Sequence, residues 1–389
     1  MGIHWFSKKR IREPQTLGLI LPGGGARNAY QVGVLKAVDE LITAKNPSPF
    51  PVVTGTSAGS LNGGLIASRS MNFNDGIERL LGMWENLQME MVVRTDAKSS
   101  TKTGAKWLWS FASGGGGSSQ PDSILDNTPL RSLIENHINL ARMRQCIQSG
   151  HLHALGITAS SYGRGASLTY YEGQEGLQPW ERTRRFGLPA RLGVDHFMAS
   201  IAIPVVFPAI KINNEYHGDG SMRESAPLSP ALHLGANKLL IISVRNPQTE
   251  YDPQNVAAKY PNLGFVAGYM FDTLFMDRLD SDIERLNRIN FALSQTKQVS
   301  FKHKDSVLRP VDFLVISPSV DIREIVAKHV SRFPRSMRVL LSGLGAMTKE
   351  GRPLTSYLLF DSNFARDLIE LGYNDGYAQR EKLQELLEL

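Results

Sequence analysis

The chain has 389 residues, 42% of them hydrophobic and 21% charged, ordinary proportions for a folded protein with room for one large domain or two smaller ones. Its net charge of +6 suits an anionic membrane surface but is too modest and too dispersed to argue for nucleic acid. The single cysteine, Cys146, excludes an internal disulfide framework and a cysteine-rich metal site, and no apolar run reaches the 18 residues of a membrane-spanning helix.

Residues 1–15 read as a disordered basic leader, with Trp5 and Phe6 ahead of Lys8, Lys9, Arg10 and Arg12. Contact of the two aromatics with a membrane interface is the alternative. The leader lacks the apolar core of a secretory signal. It also carries Phe6 where N-myristoylation needs Ser or Thr.

Leu17 to Leu21 is wholly apolar and reads as a strand buried on both faces, as in a parallel sheet. The flexible loop Pro22-Gly23-Gly24-Gly25-Ala26-Arg27 follows. Tyr30, Val34, Val38 and Leu41 then recur at helical spacing. After the Asn46–Pro49 break, the β-branched run at Val52 leads into Gly55-Thr56-Ser57-Ala58-Gly59, and a helix is expected over Ser60 to Ser68. This β-loop-α-β-turn-α order opens an α/β fold with parallel strands.

Asp75 to Met89 has one apolar face, with Ile77, Leu80, Leu81, Met83, Trp84 and Leu87. Thr101 to Ser123 joins Trp107, Leu108, Trp109 and Phe111 to four successive glycines. It reads equally as a lid touching a membrane or as a surface loop with its aromatics tucked in. Thr128 to Leu140 is expected as a helix with Thr128 at its N-cap and Pro129 in its first turn. Two strands are expected, His153 to Ala159 and Leu168 to Tyr171, around a polar turn. Phe197 to Ile210 is apolar but interrupted by Pro204 and Pro208. It leads through Ile212 to Tyr216 into His217-Gly218-Asp219-Gly220-Ser221. Lys238 to Val244 and Phe313 to Ser317 read as buried strands. From Tyr251 the pattern is largely helical, most clearly over Phe271 to Leu293 and Asp361 to Leu371, and the charged tail from Tyr373 reads as frayed or a surface helix.

The chemistry concentrates at Ser57. A serine on a sharp strand-to-helix turn has its hydroxyl pushed outward, and the close approach of neighbouring chain favours glycine two places before and after it. The following helix aims free N–H groups at the same point, where they would stabilise a negative oxygen. The alternative is an inert glycine-rich turn. The Ala58 amide and the loop Gly23, Gly24 and Gly25 are the candidate oxyanion donors. The same loop could begin a dinucleotide fingerprint, but Asn28 stands at its last glycine and the next strand lacks the acidic residue that holds a ribose.

A serine nucleophile needs a base. His196, His217 and His233 are available, and Ser57, Asp219 and His233 occur in the order of an α/β-hydrolase triad. His233, however, lies in a helix-like stretch, where a structural role is the commoner one. Asp219, set between two glycines at a strand end, is the better candidate, the alternative being a plain turn aspartate.

Gly-Gly-Gly-Ala-Arg after the first strand, Gly-Thr-Ser-Ala-Gly after the second and Asp-Gly much later together resemble the three signatures of the patatin-like phospholipases, in particular the bacterial members. The run Ala199-Ser200-Ile201-Ala202-Ile203-Pro204, with Phe207-Pro208, adds to the resemblance. It spans residues 16 to 245 by motif and is looser from Phe271 onward, including Ser356 to Phe360. It implies a three-layer α/β/α sandwich with a mostly parallel central sheet and a helical C-terminal extension. The basic leader (1–15) would precede a catalytic domain (16–245) with a mainly helical region (246–389) packed on it.

The resemblance implies a Ser57–Asp219 dyad without histidine, with Ser57 as nucleophile, Asp219 as base, and the glycine loop with Arg27 nearby at the oxyanion. It implies hydrolysis of acyl esters in phospholipids or related lipids through an acyl-enzyme, with no calcium, other metal or cofactor. The chain is expected in the cytoplasm, either soluble or bound peripherally at the membrane. A general esterase or thioesterase using the same dyad is one alternative, and a non-catalytic lipid-binding protein that kept the fold is another. Two positions depart from the family pattern. Asn28 replaces a usual glycine and is expected to tolerate a left-handed backbone, and Ser221 follows Asp219-Gly220 where Gly or Ala is usual.

Overall fold

The computed structural model describes residues 16–42, 47–95, 123–245, 260–275, 277–295, 302–303, 306–307 and 309–389. The basic leader and the aromatic and glycine residues between 101 and 122 lie outside the described residues, as does much of the stretch that follows Tyr251.

Ten strands form the central sheet: β1 (Leu17–Leu21), β2 (Val52–Thr56), β3 (Ala154–Ser161), β4 (Ala166–Gly173), β5 (Trp180–Arg182), β6 (Arg185–Pro189), β7 (Ile210–Ile212), β8 (Glu215–Asp219), β9 (Lys238–Ile242) and β12 (Asp312–Ile316). The pairs Lys302–His303 and Ser306–Val307, β10 and β11, make a separate small hairpin. Along β12-β9-β1-β2-β3 every pairing is parallel. Antiparallel pairs appear beyond β3.

The apolar runs alternate between two cores. Leu19, Leu21, Val53, Leu155, Ile157, Leu240 and Ile242 point into one, and Ile20, Val52, Ala154, Leu239 and Ile241 into the other. Because successive strand residues face opposite sides, a continuous apolar run requires helices on both. The first face is covered by α1 (Ala29–Leu41), α2 (Ala58–Ala67) and α3 (Phe73–Glu85). The second is covered by the short helix Ser229–His233 and by Leu279 and Leu286 of the helix Asp277–Gln295. The result is the expected three-layer sandwich.

Several boundaries differ from expectation for local reasons. Thr128 is the first helical residue rather than the cap, because Asp126 Oδ1 already accepts from its backbone N–H at 2.9 Å. That helix stops at His137, where Ile138 turns extended. A new helix, Leu140–Gln148, starts on Asn139, whose side chain caps it. Ile212 to Tyr216 is a hairpin, turned by Asn213 and Asn214 at φ 47° and 65°, left-handed values that asparagine tolerates.

Helix α4 (Val194–Ile201) lies before β7, and the C-terminal region adds α5 (Leu263–Phe275), α6 (Asp277–Gln295), α7 (Arg352–Leu358) and α8 (Ser362–Ala378). The periodic stretch Phe271 to Leu293 is therefore split between α5 and α6. The tail does not fray. Helix α8 runs on past Tyr373 and crosses α1 so closely that a Cβ on Gly33 would lie 2.0 Å from Ile369 O. The last helix, Arg380–Leu387, buries Leu383 and Leu386. The region after residue 245 also supplies β12, the edge strand beside β9.

Candidate active site

The sheet itself brings the two ends of the site together. Strand β4 occupies one edge of β3 from Ala154 to Ser161. On the other edge β2 pairs up to Thr56↔Thr158, and β8 takes over at Ala159↔Asp219. Asp219 therefore comes to rest just beyond the point where β2 turns into α2. There Ser57 Oγ donates to Asp219 Oδ2 at 2.6 Å.

Ser57 has φ 52°, a strained value for a side-chain-bearing residue. The glycines around it are forced by contact. A Cβ on Gly55 would lie 2.6 Å from Gly59 O, and one on Gly59 would lie 2.0 Å from Leu21 O. The turn is held from behind. Ser57 N–H donates to Ser200 Oγ at 2.9 Å, and Ser200 Oγ donates to Thr158 O at 2.7 Å. Ser60 Oγ returns a bond to Ser57 O. Ser200 lies in the run that carried part of the family resemblance, yet nothing local in the sequence marks it as the support of the turn.

Asp219 is 1% exposed. Burial raises its carboxyl pKa to about 6 against the opposing hydrogen bonds from Ser57 and Ser221, the usual cost of holding a carboxylate away from water. Ser221 N–H donates to Oδ1 at 2.9 Å, leaving Oδ2 turned to Ser57. The substitution at Ser221 thus leaves this amide in place.

The glycine loop closes over Ser57. A Cβ on Gly23 would stand 2.8 Å from Ser57 Cβ and 3.0 Å from Phe275 Cδ1, and one on Gly25, at φ 56°, would stand 2.3 Å from Tyr357 O. Asn28 does not use the left-handed conformation that its type tolerates. It sits at φ −68°, ψ −9°, right-handed rather than left-handed, because the chain passes through a 3-10 turn (Gly25–Asn28) directly into α1. Its amide ties down the loop. Asn28 Nδ2 donates to Pro22 O at 2.9 Å and to Gln31 Oε1, Gln31 Nε2 donates to Pro22 O at 3.0 Å, and Asn62 Nδ2 donates to Asn28 O and Gln31 Oε1. Trp84 Nε1 completes this buried network on Asn62 Oδ1.

Arg27 has partners other than the expected oxyanion. Its guanidinium is fully buried, with Nε donating to Ser356 Oγ at 2.8 Å, Nη2 3.5 Å from Asp272 Oδ1, and its carbon 4.0 Å above the Tyr357 ring. Tyr357 OH also donates to Asp272 Oδ1 at 2.7 Å. These contacts tie the side chain to α5 and α7.

The histidines are placed elsewhere. His217 is bonded to Tyr170 OH and Glu215 O, and His196 to the backbone of Gly193. His233 stacks on Trp180 with ring centroids 4.8 Å apart, and burial, then Arg182 and Arg185, lowers its pKa to about 4. Among the described residues no histidine is bonded to Ser57 or Asp219.

An apolar pocket opens beside Ser57, walled by Leu61, Trp84, Leu130, Phe207, Tyr357 and Phe360. Among the described residues no group of three or more His, Cys, Asp or Glu side chains is disposed to hold a metal ion. No described helix is long and apolar enough to cross a membrane.

A parallel sheet with a strained serine at a strand-to-helix turn, bonded to an aspartate and roofed by a glycine loop, defines an α/β protein of the serine-elbow type. The patatin-like phospholipase family matches residues 19–232, more than half of the chain, and the chain belongs to that family. A 106-residue stretch, 26% of the chain, is 38% identical to the patatin-like phospholipase domain-containing protein ZK370.4 of Caenorhabditis elegans, of which it spans 7%. A 58-residue stretch, 15% of the chain, is 45% identical to lysophospholipase NTE1 of Eremothecium gossypii and of Saccharomyces cerevisiae, spanning 4% and 3% of those proteins. The chain thus covers a small fraction of these relatives. Among solved structures, human GIVD cytosolic phospholipase A2 gives a TM-score of 0.43 at 10% identity, over 96% of this chain and 59% of that one. VipD of Legionella pneumophila gives 0.33 at 13%, over 92% and 67%. Both scores are low, and the assignment rests on the family match.

Proposed function

We propose that the protein is a lipid acyl hydrolase of phospholipase A or lysophospholipase type, working through Ser57 and Asp219 alone. The observation that carries this reading is the 2.6 Å bond from Ser57 Oγ to Asp219 Oδ2 at a turn where, among the described residues, no histidine is bonded to either group. Ser57 Oγ attacks the ester carbonyl carbon and passes its proton to Asp219, while the carbonyl electron pair moves onto oxygen. The N–H groups of the Gly23–Gly25 loop and of Ala58 take the role of oxyanion donors. Collapse expels the alcohol, which takes the proton from Asp219 and leaves an acyl-Ser57. Water, losing a proton to Asp219, then attacks the acyl carbon, and as the Oγ–acyl bond breaks Asp219 returns the proton to Ser57 Oγ, releasing the fatty acid. A carboxylate whose pKa is raised towards neutrality is a better base for this transfer than an ordinary one.

The apolar pocket beside Ser57 suits an acyl chain and argues for lipid over polar esters. Peripheral membrane contact is supported by the outer face of α5, where Leu263, Tyr269 and Met270 are exposed. We assign catalysis to residues 16–245, with residues 246–389 packed on them and supplying pocket wall and edge strand.

A fluorophosphonate should label Ser57 in folded protein. Asp219→Asn should lower kcat on a phospholipid about 10²- to 10⁴-fold, whereas His217→Ala and His233→Ala should retain most of it. Unlabelled Ser57 would overturn the enzyme reading, and loss of turnover in a folded histidine variant would favour a triad.

A further inference from the structure

A second carboxyl lies behind the dyad and takes no part in the steps above. Glu224 is 7% exposed and stands five residues after Asp219, on the turn that Asp219 begins. Its N–H donates to Gly220 O, and its Oε2 accepts from Thr56 Oγ1 at 2.8 Å. Thr56 is the residue immediately before Ser57, so this one bond ties the turn carrying the base to the strand end carrying the nucleophile. The contact is tight on the other side as well, because a Cβ on Gly220 would lie 2.2 Å from Thr158 O and 2.7 Å from Thr56 Cγ2. Glu224 has no place among the residues of the proton transfer, yet no other acid is bonded to the residue preceding Ser57 among the described residues.

We propose that Glu224 is a positioning residue whose charge sets the basicity of Asp219, so that ionisation of Glu224 speeds attack by Ser57. The inference rests on the Ser57–Asp219 reading above. The charged and titratable groups that face Glu224 are Asp219 on β8 and Asp282 and Arg278 on α6. Two acids and one cation surround it, together with the Thr56 and Thr158 hydroxyls. Burial, and then the charges of Asp219 and Asp282, raise its pKa to about 7, against the pull of the two hydroxyls. Burial thus raises both acids, Asp219 to about 6 and Glu224 to about 7, and the Asp219 charge adds to the rise at Glu224. The direction follows from where charge moves. In the attack Asp219 becomes neutral as its proton arrives, and the negative charge passes to the substrate oxygen. A negative Glu224, held beside Ser57 by its bond to Thr56, repels the charge on Asp219, and that repulsion is relieved as Asp219 takes up the proton. The transition state gains relative to the resting site.

The experiment is the pH profile, from pH 5 to 9, of kcat/KM on a soluble aryl ester and of the rate of Ser57 labelling by a fluorophosphonate. The wild-type profile should show two rises. Glu224→Gln keeps an oxygen to accept from Thr56 and removes the charge. It should show one rise, and its deficit against wild type should grow with pH to roughly three- to tenfold above pH 8. Thr56→Val removes a donor that favours the ionised acid and should move the upper rise to higher pH. A Glu224→Gln profile that superimposes on wild type, or one lowered equally at every pH, overturns the inference. Absence of hydrolysis and labelling in wild type at every pH overturns instead the hydrolase reading on which it rests.

Discussion

Replacing Arg27 by Met separates two roles for this residue, an oxyanion group or a clamp on the C-terminal helices. The structure gives the clamp its magnitude. The guanidinium is 0% exposed and bonds Ser356 Oγ at 2.8 Å, while Asp272 lies 3.5 Å away with 17% side-chain exposure. Removing one partner of a buried ion pair costs about 3–5 kcal/mol. The partial exposure of Asp272, and the Tyr357 hydroxyl it keeps, reduce this, while loss of the cation over the Tyr357 ring adds about 1 kcal/mol. About 3 kcal/mol remains, or roughly 5 °C in Tm for a chain of this size. Circular dichroism melts should show this loss, and below the transition kcat/KM on a soluble ester should fall less than about tenfold. An oxyanion donor removed would cost about 10²- to 10³-fold in kcat. A variant of wild-type Tm whose kcat falls by that much would refute the clamp. Arg27→Lys should restore little, because an ammonium cannot match the guanidinium fork or stack as well.

Gly59→Ala would bring a methyl to 2.0 Å from Leu21 O and 2.6 Å from Pro22 O, and should cost about 3 kcal/mol or more. Gly82→Ala, in α3 with open space around it, should instead stabilise by about 0.5–1 kcal/mol; urea unfolding of the two variants checks the contrast. Asp219 accepts a proton only when ionised, so activity should climb as pH rises through about 6 and a rate flat from pH 5 to 7 would exclude it as the base. For stability the sign is reversed. Glu224 has its pKa raised from 4.5 to about 7 in the folded protein, so its contribution is fully present below pH 4.5 and is lost as pH rises through about 7. Glu224→Gln should therefore gain stability relative to wild type across that window, by roughly 3 kcal/mol, in chemical denaturation at pH 5 and pH 8.

The parts of the site that were legible in the sequence are those written in contiguous residues. Gly55 to Gly59 announces its turn because steric contact forces small residues at fixed offsets, and Leu17 to Leu21 announces a parallel strand because both of its faces are buried. The apolar periodicity of α1 and α3 was equally local. What could not be read are bonds between distant positions. Arg27 meets Ser356 across 329 residues and Thr56 meets Glu224 across 168, with no spacing rule to link them. At Asn28 the residue type speaks only to the backbone angles it tolerates, whereas the fold uses its amide to hold the Pro22 carbonyl. The charged tail concealed a narrow apolar face, with Leu383 and Leu386 buried and Leu387 packed against the core.

The Arg27–Ser356 bond is one of several contacts by which the C-terminal region completes a site whose motifs all lie before residue 232. Phe275 limits the approach to Gly23, Tyr357 O presses on Gly25, and Tyr357, Leu358 and Phe360 form one wall of the pocket at Ser57. Arg27 fastens α7 to the turn between the glycine loop and α1, and β12 covers the edge of β9. The glycine loop is therefore held from two sides. The Asn28–Gln31–Asn62–Trp84 network holds Pro22 from within the family-matched part, and α5 and α7 hold Gly23 and Gly25 from outside it. A loop of glycines has little stiffness of its own, so the position of Gly23 beside Ser57 depends on both supports. Substitutions in α5 or α7 can thus alter the chemistry at Ser57 without touching a residue of the three motifs.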